Sequence, residues 1–184
     1  MPNWCDNTII LRAEKEDIQK LKNFLDERKG KDWFDFFLPC PQELKDVGNV
    51  SFHEPENEAL IQKYGHSDWY TWSVDNWGCK WNCDAFDWEV NEEGTEIHFR
   101  FDSPWGPPVK LYEFIEMSEE FEYEVEALYF EGGMAFIGEF ANGFDNCYEY
   151  SDLESLDSIP EHIVEHYDLR QMLEDQAEWD NENE

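Results

Sequence analysis

Basic residues are scarce in this chain. Its 13 Lys plus Arg face 45 Asp plus Glu, a formal net charge of −32 over 184 residues. That imbalance argues against free nucleic acid or an anionic membrane as a partner, because both are held by clustered cations. Long apolar runs are missing too: none approaches the roughly 18 residues that a membrane-crossing helix requires. The opening Met1-Pro2-Asn3-Trp4-Cys5-Asp6 has no basic stretch leading into an apolar one, so no export signal is expected there. Cysteine is sparse, with five residues, an odd number without disulfide-scaffold spacing. Reduced thiols in a cytosol are the expectation that follows. The chain also lacks a Gly-rich phosphate loop, a G-x-S-x-G turn and any internal repeat.

Aromatic residues are abundant: 14 Phe, 9 Trp and 8 Tyr. Disordered chains are poor in these residues, and a chain of this length can bury a core without disulfides or a structural metal. One domain, or one domain with a tail, is expected.

Periodicity predicts an α+β fold. Asn7 to Ala13 reads as a strand. Ile18, Leu21, Phe24 and Leu25 mark an amphipathic helix over Glu16 to Arg28, ended by Gly30. Trp33 to Leu38 is a short aromatic segment stopped by prolines. A loop with one short helix near Glu58 to Tyr64 fills 42–68, and a Trp-dense stretch follows. Ala85–Val90 and Glu96–Asp102 form a hairpin, the second strand alternating Ile97, Phe99 and Phe101 with charged residues. Pro107-Pro108 opens a second helix that ends near Phe121. Strands are expected over Glu122 to Phe130 and Met134 to Phe140. The order β-α-β-β-α-β plus one added strand is a ferredoxin-like pattern. One or two helices are expected within 145–184, with a frayed end from Asp180 to Glu184.

Charge is uneven along the chain. Residues 1–110 hold 22 acids and 12 bases, whereas residues 111–184 hold 23 acids and one base, Arg170.

Several blocks share an order with one family. They are Met1-Pro2-Asn3-Trp4-Cys5-x-Asn7, Phe36-x-x-Pro39-x-Pro41, Trp69-Tyr70-x-Trp72 and Asn76-Trp77-Gly78-x-Lys80-Trp81-Asn82. Ser103-Pro104-Trp105-x-Pro107-Pro108 and Gly133-Met134-x-Phe136-x-Gly138 complete the set. Over about residues 1–145 the chain resembles the YubB-like ferredoxin-fold proteins of plasmids and bacteriophages. The resemblance implies a ferredoxin-like domain over 1–145 and a mobile-element setting, and no established reaction. The acidic helical extension of 146–184 departs from the pattern.

Trp4, Trp77, Trp81 and Trp105 could stack bases, as in ferredoxin-like RNA-binding domains. The basic-aromatic strands of such domains are absent, so core packing is favoured. Lys80 is expected to pair with a carboxylate or lie over an indole. His162-Ile163-Val164-Glu165-His166 matches H-x-x-E-H, without a downstream motif to supply a third metal ligand, and a solvated helix face is favoured. Cys79-x-x-x-Cys83 lacks zinc-knuckle spacing and reads as buried reduced thiols. No cofactor, metal or catalytic residue is expected.

An acidic array remains: Glu113, Glu116 and Glu120 at helical spacing; Glu122, Glu124 and Glu126 on one strand face, about 6.8 Å apart; then Asp145, Glu149, Asp152, Glu154, Asp157, Glu161 and Glu165. A solvated surface explains some acidity, yet solubility alone needs a net charge of only about 2–8. The charge equals that of roughly 54 Å of duplex. The leading expectation is therefore a non-enzymatic, anti-defence protein that mimics DNA and occupies a basic DNA-binding or RNA-guided host complex. Second stands a regulatory or adaptor module that binds a protein through its Trp-rich region or C-terminal helices. Third stands a metal-dependent enzyme.

Overall fold

A computed structural model describes residues 3–47 and 58–183 of the protein, with side chains through Trp179. Residues 48–57, part of the loop expected over 42–68, lie outside the described residues. The chain folds as a mixed α+β structure around a six-stranded antiparallel sheet. Its strands are β1 (Trp4–Arg12), β2 (Ala85–Val90), β3 (Glu96–Pro104), β4 (Glu124–Glu131), β5 (Phe136–Ala141) and β6 (Phe144–Glu149), in spatial order β2-β3-β1-β4-β5-β6.

Strand alternation assigns side chains to two faces. The first face carries Ile9 and Leu11 of β1, Ile97, Phe99 and Phe101 of β3, and Val125 and Ala127 of β4. Helix α1 (Lys15–Arg28) lays Ile18, Leu21 and Leu25 on it, and α5 (Val109–Met117) adds Leu111, Tyr112 and Ile115. At the centre lies Trp33, fully buried in a 3-10 turn. Its indole meets Phe34, Phe37, Phe99 and Phe101 edge-on, at centroid separations of 4.7, 6.3, 5.1 and 5.1 Å. Edge-to-face pairs place the positive ring rim against the negative face, a gain beyond area burial.

The end of α1 is fixed by backbone geometry. Lys29 and Gly30 both take left-handed conformations, φ 55° and 77°. The Gly30 amide donates to the Leu25 carbonyl at 2.8 Å. A Cβ at Gly30 would collide with the Ala85 carbonyl, so only glycine lets the chain pass this close to β2.

Several elements differ from the sequence expectation. The sheet has six strands, because Phe144–Glu149 pairs with β5 instead of opening a helical region. This edge strand is largely exposed, with Tyr148 half-buried, so it lacks the alternation that reveals a strand. It also runs through residue 145, across the boundary expected between the domain and its extension. Second, the short helices α2 (Gln42–Asp46) and α4 (Trp69–Asn76) add to the expected α3 (Glu58–Tyr64). Asp68 caps α4 by accepting from the Thr71 amide at 2.9 Å, a local signal that outweighs the modest helix propensity of Trp and Tyr. Third, α5 stops at Met117 and β4 begins at Glu124, so Glu122 precedes the strand and only Glu124 and Glu126 project from it.

The second face is covered differently. A second apolar cluster joins Ile137 of β5 to Leu156, to Ile163 and Val164 of α6 (Glu161–His166), and to Leu169 of α7 (Leu169–Asn183). Leu128 and Phe130 of β4 and Tyr148 of β6 pack against it. Helix α7 is assigned through Asn183, into the 180–184 stretch where a frayed end is expected.

Candidate functional site

The acidic array divides between the two sheet faces. Glu113 and Asp145 come together on the first side, around a cavity of about 410 Å³ shared with Lys110 and Cys147. Glu116 is half-buried there, and its carboxylate accepts from the Val125 amide at 2.8 Å. Asp145 accepts from the Tyr129 hydroxyl at 2.7 Å, and Glu149 lies on the same side of β6. Glu124 and Glu126 point from the opposite face of β4, the side covered by α6 with Glu161 and Glu165. All members except Glu116 are exposed.

Their local roles differ. Glu126 pairs with Arg12 at 2.9 Å and Glu161 with Arg170 at 4.0 Å. Asp152 accepts from the Ser155 amide at 2.9 Å, and that bond, chiefly, lowers its pKa. Glu113, Glu120, Glu122, Glu124, Glu149, Glu154, Asp157 and Glu165 make no hydrogen bond or ion pair through their carboxylates among the described residues. The array thus mixes structural carboxylates with solvent-facing ones, and no single plane contains it.

The C-terminal elements cover the β4-β5-β6 half of the second face. The β2-β3-β1 half remains concave and open. One hollow of about 670 Å³ lies against α6 and α7 and is lined by Asp6, Asp87, His98, Arg100, His166 and Tyr167, among others. Arg100 donates to Asp6 at 2.8 Å and rests over the Phe86 ring at 5.5 Å. His98 lies 3.2 Å from Glu89. Burial lowers the pKa of His166, whose ring is 3.4 Å from the Thr8 hydroxyl. A second hollow of about 370 Å³ continues along the face, lined by Trp4, Trp81, Asn82, Asp84, Phe86 and Asp102, with Cys83 at its base.

This second hollow corrects the expectation that the singled-out tryptophans pack the core. Trp77 does: it is 2% exposed, and its Nε1 donates to the Leu38 carbonyl at 2.9 Å. Trp4 and Trp105 are 51% and 49% exposed, and Trp81 is half-buried. Strand parity could have shown this for Trp4. Cys5, Asn7, Ile9 and Leu11 are buried, so Trp4 belongs to the other face, with Asp6 and Thr8. Lys80 lies over the Trp81 ring at 4.8 Å, the cation–indole contact expected from its position. The carboxylates Asp84 and Asp102 were hidden in the sequence by the sheer number of acids.

Many of the motif residues that carry the family resemblance hold the fold together. Asn7 donates through Nδ2 to the Cys5 carbonyl at 2.7 Å and the Ser103 hydroxyl at 2.8 Å, tying β1 to β3. Asn82 accepts from the Phe34 amide at 3.1 Å and donates to Asp35 at 2.9 Å, stitching the loop before β2 to the Trp33 turn. Gly138 leaves room for the Tyr129 phenol and the Asn146 carbonyl, which a Cβ would strike.

The remaining candidates are also placed. His162 contacts Glu139 at 2.7 Å, and both histidines of the H-x-x-E-H stretch border a hollow of about 340 Å³ with Glu126 and Glu139. Among the described residues, no group of three or more His, Cys, Asp or Glu side chains is arranged to hold a metal ion. Cys79 and Cys83 are buried free thiols that share the Trp81 carbonyl as acceptor, at 3.4 and 3.7 Å. Burial raises the Cys83 pKa, which favours the neutral thiol. Among the described residues, no helix is long and apolar enough to cross a membrane.

No family model matches the chain, and no curated protein matches it. Among solved structures, it is similar to the crystal structure of a protein api92 from Yersinia pseudotuberculosis, assigned to the family model DUF1281, at 12% identity over 82% of this chain and 99% of that chain, with a TM-score of 0.44.

Proposed function

We propose that this protein is a non-enzymatic inhibitor that binds a basic, DNA-handling protein complex by presenting acidic surface in place of DNA. The observation that carries this reading is the acidity of residues 111–184, where most of the described carboxylates are exposed. The segment holds 23 acids and one base, and its ion pairs among the described residues involve only Glu126, Glu139 and Glu161. A surface of this kind repels phosphate backbones, speeds encounter with a cationic groove and raises the energy of the fold through self-repulsion. Such a cost is consistent with selection for a function of the charge itself.

A YubB-like origin in a plasmid or phage fits the reading, since a mobile element gains from blocking restriction or CRISPR-type machinery in the host cytosol. Within the sheet, the order β2-β3-β1-β4, with α1 and α5 as the crossovers on one face, supports a ferredoxin-like unit over about residues 1–145. Under this proposal, β5 and β6 widen that unit, and the acidic helices from 146 onward are its addition.

A competition assay against duplex DNA, run across a salt series on the captured target complex, tests the proposal. Protein and DNA should exclude each other, and affinity should fall steeply with salt, as counterion release does for DNA. Because the array is split between two faces, two charge reversals report on different surfaces. Glu124→Lys with Glu126→Lys alters the second face, and Glu113→Lys with Glu149→Lys the first. One of the two sets should weaken binding strongly. Simultaneous binding of DNA and protein, or inhibition unchanged by both sets, overturns the proposal.

The exposed Trp4–Trp81 corner favours one alternative: a regulatory or adaptor module that contacts its partner through the Trp-rich region. In that case both sets of acid reversals leave binding intact, while Trp4→Ala removes it.

A further inference from the structure

We infer that the hollow formed by Trp4, Trp81, Phe86, Asp84 and Asp102 is a receptor for an arginine side chain of the partner protein. The inference names a specific contact for the basic partner proposed above and rests on that reading only for the partner's identity. It uses residues outside the acidic array, so the two can fail separately.

The geometry is set by strand register. Trp4 lies opposite Pro104, and Asp6 opposite Asp102. Trp4 and Asp102 are therefore diagonal neighbours on one face, about 7–8 Å apart across the paired strands. Phe86 lies opposite Arg100 on β2, next along the same face. Trp4 meets Trp81 edge-on, with centroids 6.4 Å apart and planes at 63°, and the two rings form an aromatic corner. The carboxylates of Asp84 and Asp102 border the same hollow of about 370 Å³.

A corner of indole faces and carboxylates suits a guanidinium. The flat cation stacks on an aromatic face, which is negative, while its fork of N–H donors engages carboxylate oxygens. The same face already hosts one: Arg100 lies 5.5 Å over Phe86 and donates to Asp6 at 2.8 Å. Trp81 likewise accepts a cation, with Lys80 4.8 Å from its centroid.

Asp102 has no such partner. Its carboxylate makes no hydrogen bond or ion pair among the described residues. Partial desolvation and the neighbouring Asp6 charge raise its pKa, and Arg100 offsets them only in part. An incoming guanidinium would supply the missing counter-charge. A lone phosphate or carboxylate ligand would meet Asp84 and Asp102 and be repelled.

The test uses the intact protein and three capped tripeptides: acetyl-Gly-Arg-Gly-amide, its Lys counterpart and its neutral Gln counterpart. Binding is followed by indole and Asp side-chain NMR shifts. The Arg peptide should bind saturably, at least fivefold more tightly than the Lys peptide, with the Gln peptide showing no saturation. Trp4→Ala and Asp102→Asn should each weaken it at least fivefold while leaving the thermal midpoint within a few degrees. Bound Arg peptide should also lower the Asp102 titration midpoint. Equal binding of Arg and Gln peptides, or Arg binding unchanged in both variants, overturns the inference. Retained Arg-peptide binding in the acid-reversal variants that lose the target would locate the failure in the array and not in this hollow.

Discussion

The two faces of the sheet are built from alternate residues of the same strands, yet they are finished in opposite ways. The first is sealed by α1 and α5 around Trp33, with Ile9, Leu11, Ile97 and Phe101 fully buried. The second is half covered by the C-terminal cluster and half left open, with Asp6, Glu89, His98, Arg100 and Asp102 facing solvent or half-exposed. Along β3 this contrast recurs at every step, from Ile97 inward and His98 outward to Phe101 inward and Asp102 outward. A fold whose stability is concentrated on one face can leave charge unpaired on the other.

Removing the anchor of the sealed face should have the largest effect. Trp33→Ala should cost about 3–5 kcal/mol, a large part of a typical domain's stability, and lower the urea midpoint of both faces together. Separate midpoints for the two faces in this Trp33 variant would break the picture of a sheet anchored from its sealed face. Ile163→Ala should come next. Ile163 is fully buried in the C-terminal cluster, and truncation there should cost about 2–5 kcal/mol. Hydrogen exchange is the informative readout. Amides of α6 and α7 should lose protection while β1 and β3 keep it, whereas equal loss everywhere would mean that the two faces unfold as one unit.

Arg12→Ala should matter less. Arg12 bridges Glu96 at 2.7 Å and Glu126 at 2.9 Å across three strands, but it is 36% exposed. Exposed pairs contribute about 0.2–1 kcal/mol each, less at high salt, so the urea midpoint should shift slightly and the shift should shrink in 1 M salt, the effective range of such pairs being about 3 Å there.

The smallest effect is expected from His166, at the border of covered and open halves. Burial lowers its folded pKa below the ordinary imidazole value of about 6.5, while Asp6 pulls it up and Arg100 pushes it down. Below pH 6.5 the unfolded chain takes up this proton before the folded one does. Stability should therefore fall as pH drops from 6.5 towards the folded pKa. His166→Asn should reduce that part of the pH dependence, measured as the difference in urea midpoint between wild type and variant at pH 7.5 and pH 5.5. An unchanged difference would place the ring in open solvent.

How far these features could be read in advance depended on the kind of signal each left. Helix α1 was legible because Ile18, Leu21 and Leu25 recur at helical spacing, and β3 because Ile97, Phe99 and Phe101 alternate with charge. The edge strand β6 was not, because an exposed edge needs no apolar alternation and shows it only at Tyr148. The acidic array was visible as composition, but its division between two faces was not. That division depends on which side of β4 faces α5 and which faces α6.

The sequence by itself determined what is local or cumulative. It set the net charge, the apolar periods of α1 and β3 and the turn at Gly30, because each follows from neighbouring residues or from a sum over the chain. Only the tertiary structure decided which of the tryptophans are buried and which carboxylates meet them. Trp4, Trp81, Phe86 and Asp102 come from distant parts of the chain and share a hollow because β1 pairs with β3 and β3 with β2 in one register. A shift of one residue in either pairing would turn the strand over and carry its aromatic or carboxylate to the opposite face, since side chains alternate with a period of two.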